Sequence, residues 1–121
     1  MDCAQQPTHD GLRQLLRTMV SAEASDLHLV CGYRPTFRVH GRLRAAETGA
    51  MDEATVREMI QSVLPARARE SRELPKNMDF SVNIDCDGKP HRFRANVFSA
   101  HGLPGACFRH IPNLIPTFDW L

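Results

Sequence analysis

Apolar positions divide the chain into helix-like and strand-like stretches. Leu12, Leu15, Leu16, Met19 and Val20 recur at alternating spacings of three and one, the stripe of one helical face. Thr8 or Asp10 is the expected N-cap, and the helix is expected to run to about Ala22. Residues 1–7 carry no such stripe and read as a frayed leader. From Asp26 to Cys31 the pattern changes to alternation, with Leu27, Leu29 and Cys31 set against His28 and Val30. That is a short strand. Thr36 to His40 is a second, with Phe37 and Val39 opposite Arg38 and His40, and Gly41 turns it into a partner at Arg42 to Ala45.

Helical spacing returns at Val56, Met59, Ile60, Val63 and Leu64, with Asp52 as the expected N-cap. Pro65 interrupts it. Ala66 to Leu74 is expected to form a short charged helix whose Arg and Glu side chains face solvent. Alternation then resumes in three runs: Phe80 to Cys86, His91 to Ser99 and Ala106 to Ile111. Asp87-Gly88 is a strong hairpin signal between the first two. His101-Gly102 and Pro104-Gly105 together supply the next turn. The tail from Pro112 to Leu121 has no partner pattern and reads as a linker. The order α-β-β-β-α-α-β-β-β predicts an α+β domain with an antiparallel or mixed sheet of about six strands.

Composition narrows what such a domain can do. The 121 residues are 42% apolar and 24% charged, enough for one domain with its own core. There is no apolar run near the ~18 residues of a membrane span, and no signal peptide pattern. The four cysteines form no CxxC pair, so they read as reduced thiols of a cytoplasmic protein. Cys31 and Cys86 fall on apolar strand faces. A metal site from the scattered His28, His40 and His91 has no ligand spacing to support it. The net charge of +1 argues against a general nucleic-acid coat. Tyr33, Phe98 and Trp120 are too dispersed for a base-stacking platform.

The neutral sum hides an asymmetry. Thirteen of the fifteen basic residues are Arg, whose planar fork suits carboxylate and phosphate. Between Lys89 and Phe118 no acidic residue occurs, while Arg92, Arg94 and Arg109 do. No catalytic motif accompanies them. The one Gly-Lys pair, Gly88-Lys89, precedes Pro90 in a turn and is no phosphate loop, and GxSxG and HExxH are absent. Arg38, Arg94 and Arg109 each lie on a predicted strand. If those strands are neighbours, one sheet surface presents several guanidinium groups. Spacing alone is also met by ordinary arginines on the wet side of a sheet, and the direction of Arg109, which shares its face with Cys107 and Ile111, stays open.

The blocks Ala24-Ser25-Asp26-Leu27-His28-Leu29 and Phe37-Arg38-Val39-His40-Gly41 come first, followed by Asp79-Phe80-Ser81. Arg92-Phe93-Arg94-Ala95-Asn96-Val97-Phe98 and Phe108-Arg109-His110-Ile111-Pro112 follow in order. This series resembles the N-terminal domain of PilT-like type IV pilus retraction ATPases, in the secretion ATPase superfamily. Ile115-Pro116-Thr117-Phe118 is similar to the start of their linker. Where those relatives often have Asp before Gly41, this chain has His40.

The resemblance implies a PAS-like domain over 1–111 and, over 112–121, the start of a linker to a RecA-like ATPase core. It implies a homo-hexameric ring on the cytoplasmic side of the inner membrane, against the pilus platform, with no nucleic acid involved. ATP with magnesium would bind in the parent protein between this domain and the cores of the same and neighbouring subunits, and none is expected in the isolated domain. Arg38, Arg94 and Arg109 stand at the matching blocks and become candidate phosphate contacts. Lacking Walker motifs, the 121 residues are not expected to hydrolyse ATP alone, and the end at Trp120-Leu121 reads as a cut rather than a natural terminus. The short segment before the first helix favours retraction. An N-terminal domain of a pilus-extension or type II secretion ATPase is the alternative, as is a stand-alone PAS-like ligand sensor.

Overall fold

The computed structural model describes residues 7–71 and 73–112; of the linker expected at 112–121, all but Pro112 lies outside them. Nine elements follow in the expected order: α1 (Asp10–Ser21), β1 (Ala24–Val30), β2 (Thr36–Val39), β3 (Arg42–Ala45), α2 (Glu53–Val63), α3 (Ala66–Arg69), β4 (Asn77–Cys86), β5 (Lys89–Ala100) and β6 (Leu103–Ile111). Helix α1 buries Leu12, Leu15, Leu16 and Met19, the stripe its spacing dictates. Its cap is neither Thr8 nor Asp10. His9 Nδ1 accepts from the Leu12 amide at 3.2 Å, so an imidazole in its Nε2–H tautomer does the work of a capping carboxylate. Asp10 instead opens the first turn, where the helix dipole favours it. Pro7, expected to belong to a frayed leader, is buried.

Asp52 caps α2 as expected, accepting from the Thr55 amide at 2.8 Å, and hydrogen bonding from Thr55, its side chain first and its amide second, holds the carboxyl below the usual range. Helix α3 stops at Arg69, short of the expected Leu74. Its four residues bury no side chain, and a helix without a packed stripe has little to sustain it. Several arginines act structurally here. Arg69 Nε donates to the Leu64 carbonyl, which follows α2, at 2.9 Å, and Arg34 Nε donates to the carbonyls of Ala46 and Thr48.

The six strands form one antiparallel sheet in the order β3-β2-β1-β6-β5-β4. Two meanders, β1–β3 and β4–β6, are thus joined along β1 and β6. Tight turns at His40-Gly41, Asp87-Gly88 and His101-Gly102 carry positive φ at both positions, the backbone that matches strand twist in two-residue hairpins. Pro104-Gly105 proves to be strand rather than turn. The β1–β6 ladder ends at the Val30–Gly105 pair, so Pro104 lies just beyond it, and its carbonyl accepts from the Cys31 thiol at 3.2 Å. Strand β4 starts at Asn77, three residues before the expected Phe80, because its ladder with β5 runs on to the Asn77–Phe98 pair.

Both long helices pack on one face of the sheet, α1 against β1 and β4 and α2 against β6. Leu27, Leu29, Val82, Phe93, Val97 and Phe108 face them and are fully buried, as are Leu12, Leu16, Met19, Val56, Ile60 and Val63 of the helices. The same face carries a polar pair. His91 Nδ1 and His110 Nε2 lie 3.2 Å apart, beside the Phe93 ring. Burial, and then the charge of His91, hold His110 below its ordinary pKa. Among the described residues no helix packs on the opposite face. There Phe98 crosses the sheet over Gly105, where an added Cβ would stand 2.5 Å from the ring and 3.2 Å from the Leu29 carbonyl.

Two outcomes are expected. Gly105→Ala forces the Phe98 ring aside against a fixed backbone and should cost about 1–3 kcal/mol, read as a lower denaturation midpoint. His110 binds a proton more readily unfolded than folded, so its contribution is full above its unfolded pKa and is lost as pH falls toward the folded one. Denaturation midpoints should therefore drop between about pH 7 and 5, and His110→Phe should flatten that slope.

Candidate functional site

The antiparallel registers align one residue from each strand across the helix-free face. Ser81 of β4 opposes Arg94 of β5, Arg94 opposes Arg109 of β6, and Arg109 opposes Asp26 of β1. Asp26 opposes Arg38 of β2, and Arg38 opposes Leu43 of β3. All three arginines singled out from the sequence therefore stand in a single row. The direction of Arg109, open from spacing alone, is settled by its pairing with Arg94 and by its 72% exposed side chain. Arg92 lies one pair further along, opposite Asn83 and Ile111.

The row is organised around a residue that the strand pattern did not mark as functional. Asp26 is 5% exposed and is the only buried charged residue among those described. Strict alternation after buried Ala24 would turn Asp26 toward the core. Instead the β1–β2 register shifts between Ala24 and Asp26. This β-bulge spends Ser25 as the extra residue and re-aims Asp26 to the open face. Ala24 and Leu27, with only two residues between them, both remain in the core. The signal was present in Ala24-Ser25-Asp26-Leu27: two polar residues between two core positions break a period of two.

Asp26 is saturated with donors. Ser25 Oγ donates to Oδ2 at 2.7 Å and Arg109 Nε to Oδ1 at 3.1 Å. Arg38 Nε stands 3.8 Å from Oδ2. Desolvation pushes the carboxyl pKa up, but the Ser25 and Arg109 hydrogen bonds and the Arg109 charge outweigh it and leave it lowered. Both arginines turn their Nε side to Asp26. The Arg94 side chain is exposed and makes no hydrogen bond or ion pair with the described residues. It faces Arg109 directly, a like-charge pairing that is unfavourable unless something anionic lies nearby.

Around the row the face is polar. His28, Cys107, Asn96 and Asp79 form the next line of opposed residues. Asn96 donates to the Asp79 carboxylate at 2.9 Å, and burial raises the Cys107 thiol pKa. His28, His40 and His91 do not come together: one is on the open face, one in a turn and one on the helix side. Among the described residues no group of three or more metal-ligating side chains is clustered, and no helix is long and apolar enough to cross a membrane. A cleft of about 620 Å³ on the helix side, lined by Thr8, His9, Arg57 and Gln61 among others, includes none of the row.

No protein-family description matches the chain. Individual relatives do. The type IV pilus retraction ATPase PilT of Pseudomonas aeruginosa is 31% identical over 110 residues, 91% of this chain and 31% of that protein. The type IV pilus ATPase PilU of the same organism is 31% identical over 89% of this chain and 28% of its own length. A twitching motility protein of Neisseria gonorrhoeae is 30% identical over 92% and 29%. The chain thus spans about a third of the length of the curated relatives it matches. Among solved structures, the pilus retraction motor PilT with bound ADP superposes with a TM-score of 0.74 at 31% identity, over 90% of this chain and 31% of that one. The Legionella pneumophila ATPase DotB shares the fold, with a TM-score of 0.74 at 19% identity over 98% and 36%. In sequence and in its α+β fold, the chain is a homologue of the N-terminal domain of PilT-like pilus retraction ATPases.

Proposed function

We propose that this chain is the nucleotide-contacting and ring-assembly domain of a hexameric ATPase that powers type IV pilus retraction and twitching motility. The alignment of Arg38, Arg109 and Arg94 in one row is the observation that carries this reading. An uncovered sheet face with three guanidinium groups and one buried carboxylate is an anion site waiting for a second surface. That surface would be a RecA-like core of the same or a neighbouring subunit, holding ATP between the two. A relative that superposes on this fold carries ADP.

The chemistry assigned to the row is charge stabilisation. A phosphoryl group in transfer spreads negative charge over its outer oxygens, and a preorganised guanidinium facing them lowers the barrier. Domain position then couples to the nucleotide, because the arginines reach phosphate only when the two domains close. Magnesium has no place in the row. Its one carboxylate is already held by Arg109 and Arg38, so the donor set fits phosphate oxygens and the ion would be held by the core. The chain supplies no phosphate loop, and by itself it binds and orients rather than hydrolyses.

Among the three arginines, Arg94 is the one whose side chain makes no hydrogen bond or ion pair with the described residues. In the full-length protein Arg94→Ala should lower ATP turnover by about 10²-fold while leaving the melting transition in place. Unchanged turnover together with unchanged twitching would count against the phosphate role. The purified 121-residue chain should release no phosphate from ATP, and hydrolysis that survives removal of the arginines would overturn the division of labour.

A further inference from the structure

Asp26 stands apart from every other charged residue described here. It is buried, it lies at the centre of the row, and a bulge in β1 turns it there. A carboxylate in the middle of an anion site is at first sight a liability, since it repels the ligand and occupies the arginines that should bind it. The contact geometry points the other way. Arg109 meets Asp26 through Nε, and the nearest approach of Arg38 is also through Nε. A guanidinium has two bidentate edges. Engaging the Nε side leaves the edge formed by the two terminal nitrogens to point outward, and the Arg109 side chain is 72% exposed. Ser25, the extra residue of the bulge, fixes the carboxylate from its other side through Oγ.

We propose that Asp26 is the positioning residue of the site: set on the open face by the Ser25 bulge, it anchors Arg38 and Arg109 by their Nε groups and presents their outer edges as a preformed seat for a polyphosphate. This rests on the phosphate role assigned to the row above. Two long side chains rich in rotamer freedom are ordered before the ligand arrives rather than by it. Arg94, across from Arg109, completes the seat as the side chain without a tether. The buried charge sets the order of events. Asp26 keeps its partners on folding and Arg94 waits for the ligand.

The sign of one substitution separates positioning from simple charge. Asp26→Asn removes a negative charge from an anion site, so a mere electrostatic patch would bind ATP more tightly. A positioning role predicts the reverse: in the full-length protein D26N lowers kcat about tenfold and does not lower the KM for ATP. The second readout is non-additivity. Placed on R38A/R109A, D26N should cause no further loss, because the residues through which it acts are gone. Tighter binding, undiminished turnover, or a further full loss on R38A/R109A would overturn the proposal. R94A in the same assay keeps the two readings distinct. If R94A is impaired and D26N is not, only the positioning role fails; if R94A is unimpaired, the phosphate role itself fails. Should D26N not fold, Ser25→Ala tests the same anchor without removing charge: it should cost about threefold in kcat, a loss absent from the R38A/R109A background, and an undiminished kcat overturns the anchor.

Discussion

The pairing of β1 with β6 is the constraint on which the rest depends. Each meander is built from neighbours in the chain and closed by two-residue turns or short loops. Each alone leaves its strand at the seam, β1 or β6, unpaired along one edge. The β1–β6 ladder joins residues some eighty positions apart, Asp26 to Arg109 among them, and turns two ribbons into one sheet. Only then do Leu27, Leu29, Ala106 and Phe108 lie side by side under the helices. Closing so long a loop costs entropy before any contact repays it. The seam is therefore where the apolar core and the polar row are established together.

The two faces of the sheet divide the work. The helix side follows the hydrophobic effect closely, with large side chains at zero exposure. Its exception is the His91–His110 contact, two rings that share one hydrogen bond, with burial holding the His110 pKa down. The open side is held by polar means: the Asp26 cluster and the Asn96–Asp79 bond. On the reading proposed above, a helix-free face whose buried carboxylate orders arginines is shaped for a partner rather than for solvent. Buried ion pairs add little net stability, so the arrangement makes more sense as preorganisation than as a staple.

Much of the fold was legible in order. Apolar spacing located both long helices and alternation the strands that bury one face, while the Gly41 turn located β3, whose four residues are all exposed. What failed was local competition. His9 took the cap from Thr8 and Asp10 because its Nδ1 reaches the third amide. Helix α3 stopped early for want of a packed stripe. Pro104-Gly105, whose composition says turn, entered a strand because the neighbouring ladder ends beside it and Phe98 covers the glycine.

The same division holds for the site. The sequence by itself determined that Arg38 and Arg94 face away from the apolar side of their strands, because side chains alternate. It also carried enough ordered blocks to place the chain beside the pilus retraction ATPases. It left open whether the arginines met, where Arg109 pointed, and what Asp26 did. Those were decided by tertiary structure, through the non-local registers of β1 with β6 and β6 with β5 and through one bulged residue. Periodicity is a property of a single strand. Which residues oppose each other across strands is set by hydrogen-bond ladders between segments far apart in the chain, and a one-residue shift in any of them would have sent an arginine into the core.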